Sequence, residues 1–313
     1  MADKSLTRPY VLVIGAAGID SKGRSATPLT PNTSTPGTVR VSVGGTARNV
    51  ADNLTRLGVR SVLLSALGSD GSGRRVLTNA AEVGINTDYL IISHDYHTAA
   101  YVAILDETGN LVMSVDDMEI LSLITPQVIN RRRGLIRNAA MIIIDSNLSE
   151  ATIASLFKVA GRYQVPICAD PASATLAPRL KPYLSTIYMI TPNVTEAQVL
   201  SGQSIRDEDE ALAAARKLVN IGVEIAIITL AEAGVVYATA GDSGHVPAVA
   251  TELVDSTGAS DALTATVVFG MLNDIPIDEA VRLGASAAAL TLASPDSVCQ
   301  ELSLDLLYDR LLI

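Results

Sequence analysis

The sequence contains few cysteines and no long hydrophobic run. Its two cysteines, Cys168 and Cys299, lie far apart in apolar surroundings, which indicates a reducing compartment, the cytoplasm, and no metal site. The aliphatic residues fall in short runs between glycine, proline and charged turns, and none approaches the length of a membrane span. Apolar residues still make up 48% of the 313 residues, which suits a sizeable core and argues against disorder.

Basic charge is also scarce. The formal net charge is −10, and the only basic run, 131–133, is interpreted as a solvated face or end of a helix. Because phosphate backbones demand basic patches, this charge argues against nucleic acid as a partner.

The amino-terminal segment has two possible interpretations. Lys4 and Arg8 precede an apolar run and so give the segment the look of a short signal peptide. The same run also predicts a buried first strand. We favour the strand, because Asp20 follows it where a strand would present a side chain to a ligand.

Strand and helix patterns alternate through most of the chain. Apolar or β-branched runs predict strands at 10–16, 61–67, 98–105, 140–145, 165–169, 186–191, 223–230 and 234–239. Helical spacing predicts helices at 47–57, 72–83, 125–138, 149–163, 212–219, 262–272 and 278–293. Such alternation is typical of βαβ units, so the sequence predicts an α/β fold with a mostly parallel sheet covered on both faces. No linker divides the chain, and we expect a single domain over residues 1–313.

Two segments break the alternation. Residues 21–43 are rich in serine, threonine, proline and glycine and contain only brief strand-like pieces. Residues 96–115 are typical of a hairpin. Since neither segment can supply crossover strands, we expect the two together to form a small antiparallel sheet that projects from the main one.

The segment 255–261 (DSTGASD) lies between a strand-like run and a helix. Its small residues allow a tight turn whose N–H groups point outward at a helix start, where the helix dipole favours an anion. Asp261 places a carboxylate in the same turn. A turn that only binds phosphate has no use for this charge, whereas a turn that deprotonates a hydroxyl during phosphoryl transfer needs both features. The alternative is a simple capped helix, since Asp, Ser and Thr are favoured in first turns.

Two other helix starts carry candidate ligand-binding residues. Gly44 and Gly45 would let a ligand approach the backbone, and Asn49 offers a donor and an acceptor to a sugar hydroxyl. The alternative is a flexible turn with an ordinary surface asparagine. Asn193 and Glu196 are spaced to hold the water shell of Mg²⁺ from one face of a helix start. The same spacing fits a capping box equally well.

The candidates also share a place in the predicted fold. In open parallel sheets, ligands bind at the carboxyl ends of the strands. The candidates there are Asp20 after the first strand, Asn193 after the 186–191 strand, Thr229 near the end of the next strand, and the 255–261 turn.

In their order and spacing these motifs resemble the PfkB family of ribokinase-like carbohydrate and nucleoside kinases. The resemblance runs from about Val11 to about Leu292. It rests on Asp20, Gly44 and Gly45 with Asn49, Asn193 with Glu196, Thr229 and the segment 255–261. It implies a three-layer α/β/α ribokinase-like fold with a small β-lid, formed from about 21–43 and 96–115, that closes over the sugar and often mediates dimerisation.

The resemblance also implies roles for the individual residues. Asp261 is the catalytic base, and Gly258, Ala259 and Ser260 form the anion hole. The acceptor, a small-molecule nucleoside or sugar, is assigned to Asp20, Lys22, Gly44, Gly45 and Asn49. The nucleotide, ATP, is assigned to Thr229 and Gly234, and Mg²⁺ is assigned through water to Asn193 and Glu196. The family also allows a monovalent cation, K⁺, near Asp255 and Thr257.

Within the family, the segments 15–23, 35–51, 115–126 and 170–173 are most similar to pseudouridine kinases. This similarity implies phosphoryl transfer from ATP to the 5′-hydroxyl of pseudouridine. The alternatives are a ribokinase, adenosine kinase or fructokinase, or a nucleoside-binding protein with weakened kinase activity. The last alternative rests on departures from the family pattern at Ala231, Ser260 and Thr266. A further departure, Gly18 in place of an asparagine, concerns a contact to the substrate. A Rossmann-type dehydrogenase is excluded because no Gly-x-Gly-x-x-Gly turn follows the first strand.

Overall fold

The computed structural model describes residues 9–311, so that Lys4 and Arg8 lie outside the described residues. This part of the chain forms fourteen strands and ten α-helices. The strands are β1 (Val11–Ile14), β2 (Gly18–Ser25), β3 (Gly37–Gly44), β4 (Ser61–Leu64), β5 (Ala66–Gly68), β6 (Ile91–Ser93), β7 (Ala99–Leu105), β8 (Leu111–Asp117), β9 (Met141–Asp145), β10 (Ile167–Asp170), β11 (Met189–Ile190), β12 (Ile225–Thr229), β13 (Val235–Ala238) and β14 (Ser243–Val246). The helices are α1 (Thr46–Arg56), α2 (Gly71–Val83), α3 (Pro126–Arg131), α4 (Arg133–Asn138), α5 (Glu150–Tyr163), α6 (Val194–Ser201), α7 (Glu208–Ile221), α8 (Ala259–Leu272), α9 (Ile277–Leu292) and α10 (Leu304–Leu311).

Eight of the strands form a central sheet in the order β14-β13-β12-β11-β10-β9-β1-β4. Neighbouring strands from β4 to β12 pair in parallel, whereas β13 and β14 are added in antiparallel orientation. Alternate side chains of β1 enter two different apolar clusters. Leu12 is buried in the cluster that includes residues of α5, and Val13 in the one that includes residues of α1. Helices therefore cover both faces of the sheet, which confirms the predicted three-layer α/β/α architecture.

Two predicted elements are divided in the structure. The predicted strand 61–67 ends with β4 at Leu64, and β5 then leaves the central sheet to pair with β6. The predicted helix 125–138 is interrupted at Arg132, where the backbone departs from helical values (φ −98°, ψ 17°). The guanidinium of Arg132 lies 5.6 Å from the centroid of the Tyr89 ring, a tertiary contact that apolar periodicity does not record.

The strands within 18–44 and 99–117 form a second, four-stranded sheet in the order β3-β2-β7-β8, called the small sheet here. The β2–β3 and β7–β8 pairs are antiparallel, but β2 and β7 are parallel. The expectation of a wholly antiparallel sheet was therefore wrong. Each segment folds back on itself, and the two strand pairs meet through strands that run in the same direction.

Strand register gives the small sheet two different faces. Residues paired across strands share a face, and neighbours along a strand alternate between faces. One row across the four strands consists of Ser42, Asp20, Tyr101 and Asp116. The adjacent row, on the opposite face, consists of Val41, Ser21, Val102 and Val115. One face therefore carries carboxylates, and the other is largely apolar.

Helix α8 is enclosed by the rest of the protein. Every residue from Asp261 to Gly270 is buried, and α8 packs along α9. A side chain at the start of this helix is consequently held by a rigid element. Among the helices of residues 9–311, none is both long and apolar enough to cross a membrane.

Candidate active site

A cavity of about 380 Å³ opens at the carboxyl ends of β10 and β12 and at the amino termini of α1 and α8. Its volume falls within the range of small-molecule sites. The site residues predicted from the sequence that line it are Asp20, Gly45, Asn49, Asn193, Glu196, Thr229, Thr257, Gly258, Ser260 and Asp261. The other predicted residues, Lys22, Gly44, Gly234, Asp255 and Ala259, are outside this lining.

The start of α8 leaves backbone N–H groups available to a ligand. Gly258, the residue before the helix, has φ +83°, and a Cβ there would lie 1.9 Å from the carbonyl oxygen of Ser297. Only glycine satisfies both conditions. Within the described part of the chain no side chain caps this helix, so its first-turn donors face the cavity uncapped. An anion placed there would also be stabilised by the helix dipole.

Asp261, in that first turn, is a buried carboxyl with a perturbed acidity. Its exposed fraction is 7%, and Asn49 Nδ2 donates a 2.8 Å hydrogen bond to its Oδ2. Burial raises the pKa of Asp261 from 3.8 to about 7, against the lowering effect of the Asn49 bond. A carboxyl with this pKa takes up and releases a proton near neutral pH, as a general base must.

A buried network fixes the orientation of Asn49. Arg48 donates to Asn49 Oδ1 at 2.8 Å and pairs with Asp52 at 3.1 Å. Because the amide oxygen receives this bond, the amide nitrogen of Asn49 is directed toward Asp261. Asn49 thus contacts the carboxyl group as well as lining the cavity.

Asp20 reaches the cavity from the small sheet. Its carboxylate is buried and accepts a 3.3 Å hydrogen bond from Ser297 Oγ. Burial raises the pKa of Asp20, while the positive charge of Lys22 lowers it. A Cβ at Gly44 would lie 2.2 Å from Asp20 Oδ2, so Gly44 makes room for the carboxylate instead of lining the cavity.

Asn193 and Glu196 form a complete capping box at the start of α6. The Asn193 backbone N–H donates to Glu196 Oε2 at 2.9 Å, and the Glu196 N–H donates to Asn193 Oδ1 at 3.0 Å. Both side chains also line the cavity, and burial raises the pKa of Glu196. The pair therefore caps a helix and presents oxygen atoms to the cavity at the same time.

Lys22 lies on the same strand and face as Asp20, but its side chain contacts the segment that precedes α8 and does not line the cavity. Its Nζ is 2.6 Å from both carboxylate oxygens of Asp255 and also donates to Thr257 Oγ1. The Lys22 and Asp255 side chains are 11% and 16% exposed. This contact joins the small sheet to the turn that precedes α8.

Of the two residues assigned to the nucleotide, Thr229 lines the cavity and Gly234 does not. Thr229 ends β12 and lines the cavity, and it forms a bridge with Asn193. Gly234 is in the turn between β12 and β13, outside the cavity lining. In that turn Ala231 has φ +52°, a left-handed conformation that costs an alanine about 1 kcal/mol. This strain explains why a glycine suits position 231.

A match to a family model decides the class of the protein. The model described as "pfkB family carbohydrate kinase" matches residues 8–300. The chain belongs to the PfkB family. It is a kinase that transfers a phosphoryl group to an alcohol group.

Two curated relatives and two solved structures illustrate the range of this PfkB kinase's similarity. Pseudouridine kinase of Escherichia coli K12 is 31% identical over 91% of this chain and 91% of the relative. Guanosine-inosine kinase of Exiguobacterium acetylicum is 28% identical over 92% of this chain and 95% of the relative. The structure of Arabidopsis thaliana ribokinase complexed with ribose and ATP has a TM-score of 0.79 at 21% identity, covering 96% of this chain and 99% of that one. An Escherichia coli structure in complex with ATP and Mg²⁺ has a TM-score of 0.83 at 17% identity, covering 97% and 99%. The fold is ribokinase-like.

Sequence reasoning missed several residues of the PfkB kinase site. Asp145 and Asp170 end neighbouring parallel strands, and the carboxyl of Asp170 lines the cavity. Burial, with Asp261 and Glu196 nearby, raises the pKa of Asp170 well above 3.8. A signal was present, because each aspartate closes a buried apolar run. Tyr101, on the strand next to Asp20, carried no comparable signal, since its facing depends on the register of the small sheet.

Two departures from the family pattern fall within or close to this site. Ser260 lines the cavity at the second position of α8. Thr266, one helical turn and a half further on, is fully buried, and its hydroxyl has no hydrogen-bond partner among residues 9–311. Neither side chain displaces Asp261, whose bond to Asn49 is intact.

Proposed function

We propose that this PfkB kinase transfers the γ-phosphoryl group of ATP to the 5′-hydroxyl of a nucleoside, with pseudouridine as the acceptor. The observation that carries the proposal is a buried Asp261 carboxyl, with a pKa of about 7, at an uncapped helix start in the same cavity as Asp20 and Asn49. Base, anion-binding N–H groups and hydroxyl-binding side chains are the parts that phosphoryl transfer to an alcohol requires. The similarity to Escherichia coli pseudouridine kinase supports the choice of acceptor.

Each residue has a separate task in this proposal. Asp261 accepts the proton of the 5′-hydroxyl as that oxygen attacks phosphorus. The N–H groups at the start of α8, beside Gly258 and Ser260, bind the negative charge of the transferred phosphoryl group. Asp20 and Asn49 hold the ribose hydroxyls. Thr229 borders the nucleotide, with Gly234 behind it in the next turn.

The acidic character of the cavity is compatible with a magnesium ion that accompanies ATP. Its lining includes the carboxyls of Asp170 and Glu196 and the amide of Asn193, all of which offer oxygen. In the described residues no group of three acidic, histidine or cysteine side chains is arranged to hold a metal directly. Mg²⁺ retains most of its waters when protein oxygens are few, so Asn193 and Glu196 would hold it through water. The ion would neutralise charge on the phosphates.

Glu196→Gln separates the capping role from the metal role. Glutamine keeps the size and hydrogen-bonding capacity that the capping box needs but lacks the negative charge. We expect kcat to fall, and the Mg²⁺ concentration for half-maximal activity to rise by about tenfold or less, with little change in Tm. The measurement is a Mg²⁺ titration of turnover beside a melting curve.

Asp207→Asn is the matched control, because Asp207 caps α7 through its side chain but does not line the cavity. It should leave the Mg²⁺ dependence unchanged. A Glu196→Gln protein that loses about 1 kcal/mol of stability but keeps its Mg²⁺ dependence would restrict Glu196 to capping.

The small sheet provides the surface on which acceptors would be distinguished. Asp20, Tyr101 and Asp116 are adjacent in one row, and all three line the cavity. With Asp20 on the ribose, Tyr101 and Asp116 fall where the base of a nucleoside would lie. Asp116 is exposed and Tyr101 is half-buried, so a nucleoside base would contact both, whereas a free sugar would leave them facing solvent.

The acceptor is tested by kcat/KM for pseudouridine, uridine, adenosine, guanosine, ribose and fructose under one set of conditions. Pseudouridine carries a ring N–H that uridine lacks, so a site that pairs with it should favour pseudouridine by about tenfold or more. Higher kcat/KM for any other acceptor would refute the pseudouridine assignment while leaving the kinase class intact.

Assembly and closure follow from the two faces of the small sheet. On the apolar face, the exposed fraction is 74% for Val39, 62% for Met113 and 72% for Val115. Contiguous exposed apolar surface of this kind marks an interaction site, and we propose that a second copy of the chain covers it to form a homodimer. The opposite face, with Asp20, would act as a lid over the acceptor and keep water from the phosphoryl group.

The unpaired Cys168 and Cys299 support a cytoplasmic location.

A further inference from the structure

The ammonium group of Lys22 occupies a polar position between two parts of the protein. It lies 2.6 Å from each carboxylate oxygen of Asp255 and donates to Thr257 Oγ1. Asp255 Oδ1 also accepts the backbone N–H of Thr257 at 2.9 Å, which closes the turn just before Gly258. A positive charge, a carboxylate, a hydroxyl and a tight turn are thus assembled where α8 begins.

The two residues that Lys22 contacts, Asp255 and Thr257, are the ones near which the family resemblance allows a monovalent cation. The negatively charged ligand that these residues offer a K⁺ ion is the Asp255 carboxylate, but Lys22 Nζ already contacts both of its oxygens and the neighbouring Thr257 hydroxyl. A second positive charge at hydrogen-bond distance from the ammonium group would be repelled by it. The residues present therefore do not fit a K⁺ ion at this position.

We propose that Lys22 is a covalently attached substitute for the monovalent cation and that this kinase works without K⁺. The inference rests on the proposed function of the 258–261 turn as the anion hole. Lys22 is a positioning residue in this role. Its charge fixes the Asp255–Thr257 turn, and that turn sets the direction of the N–H groups at the start of α8.

Because the positive charge comes from a residue of the small sheet, it links the position of that sheet to the order of the turn before α8. Lys22 belongs to β2 of the small sheet, two residues from Asp20, whereas Asp255 and Thr257 belong to the segment that leads into α8. An ion from solvent would order the turn whatever the position of the small sheet. A lysine orders it only while β2 is in place, so the anion hole and the Asp20 side of the acceptor site form together.

The first test uses the unmodified protein. Turnover and Tm are measured in KCl, NaCl and choline chloride at equal ionic strength. We expect turnover to differ by less than about twofold among the three salts, with equal Tm. A specific rise of Tm or of turnover in KCl would overturn the proposal. Because Tm does not depend on turnover, it remains informative even if the acceptor has been assigned wrongly.

The second test removes the ammonium group. Lys22→Met should lower kcat by about tenfold or more and lower Tm in choline chloride, and KCl should partly restore both because the Asp255 and Thr257 oxygens become free. Lys22→Arg keeps a charge and should not respond to KCl. Arg40→Met is the matched control, since Arg40 pairs with Lys22 across the strands but bonds to the carbonyl oxygen of Pro295.

Each outcome of the second test decides the question. Restoration of Lys22→Met by KCl, with no response in Arg40→Met, supports substitution of the cation. Unchanged kcat and Tm in Lys22→Met would show that the charge is not needed. If Lys22→Met does not fold, the salt series on the unmodified protein and on Lys22→Arg still decides whether K⁺ acts.

Discussion

Asp261→Asn is expected to lower kcat by about 10²–10⁴-fold, the usual contribution of a general base. Asparagine preserves the shape of the side chain and can still bond to Asn49, but it cannot accept the proton of the attacking hydroxyl. The fold should be intact, because α8 is enclosed by its neighbours and the change adds no non-hydrogen atom. Steady-state turnover beside a far-ultraviolet spectrum measures the effect. A variant with near-normal kcat would remove Asp261 from the role.

The same substitution should stabilise the protein at neutral and alkaline pH. The folded protein holds the Asp261 proton up to about pH 7, whereas the unfolded chain releases it near 3.8. The contribution of this group to stability is therefore fully present at acid pH and is lost as the pH rises from about 4 to about 7. We expect Asp261→Asn to exceed the natural protein in stability by about 2–4 kcal/mol near pH 8 and much less near pH 4. Melting curves at both pH values measure the difference.

The pH dependence of the natural enzyme gives an independent measurement. Since the base must be ionised, kcat/KM should fall as the pH drops below about 7, the pKa of Asp261. Asn49→Ala removes the hydrogen bond that lowers this pKa and should move the acid limb to higher pH. An acid limb that stays in place in Asn49→Ala would contradict the assignment.

Asp20→Asn is expected to lower kcat/KM by about 10²–10³-fold. A buried carboxylate that accepts hydrogen bonds from sugar hydroxyls contributes about 1.5–3 kcal/mol for each bond, and asparagine supplies only one acceptor and no charge. The loss should be larger for nucleosides and sugars with intact hydroxyls than for a deoxyribose analogue. Kinetics with a matched pair of such acceptors measure it.

Ser297→Ala is the control for Asp20→Asn. Ser297 bonds to the Asp20 carboxylate but does not line the cavity, so its removal should cost less than about tenfold in kcat/KM. An Asp20→Asn enzyme that still distinguishes hydroxylated from deoxy acceptors would place the hydroxyl contact elsewhere.

Sequence alone predicted every strand of the central sheet except β14, and most helices but not α10, because these elements depend on local apolar periodicity. The runs that form β1, β9 and β12 are short, aliphatic and bounded by turn residues, so the sequence predicts that they are strands and where in the chain they lie. The break at Arg132 was not predicted, and the side chain of Arg132 contacts the ring of Tyr89, more than forty positions earlier in the chain. Contacts of that kind exist only after folding.

The residues of the candidate site also fall into those that local sequence indicates and those that depend on contacts between distant parts of the chain. Asp261 and Gly258 were identified because turn chemistry and helix start fall within one segment. The task of Gly44 was not, since it depends on the Asp20 carboxylate lying where its Cβ would be. Lys22 shows the limit most clearly. Its assignment to the acceptor followed from the family resemblance, whereas its bond to Asp255 joins residues 233 positions apart.

The alternation of the small sheet also bears on how this kinase can change over evolutionary time. Asp20, Tyr101 and Asp116 lie on the face toward the cavity, while Val102 and Val115, their immediate neighbours, lie on the opposite face. A substitution at one set leaves the other set untouched, so the proposed acceptor contacts and the proposed subunit contact can change separately. A single-residue insertion within β2 or β7 has the opposite effect, because it exchanges the two sets at once. We therefore expect diversity among descendants of this sequence to accumulate in these strands by replacement, with length changes confined to the loops between them.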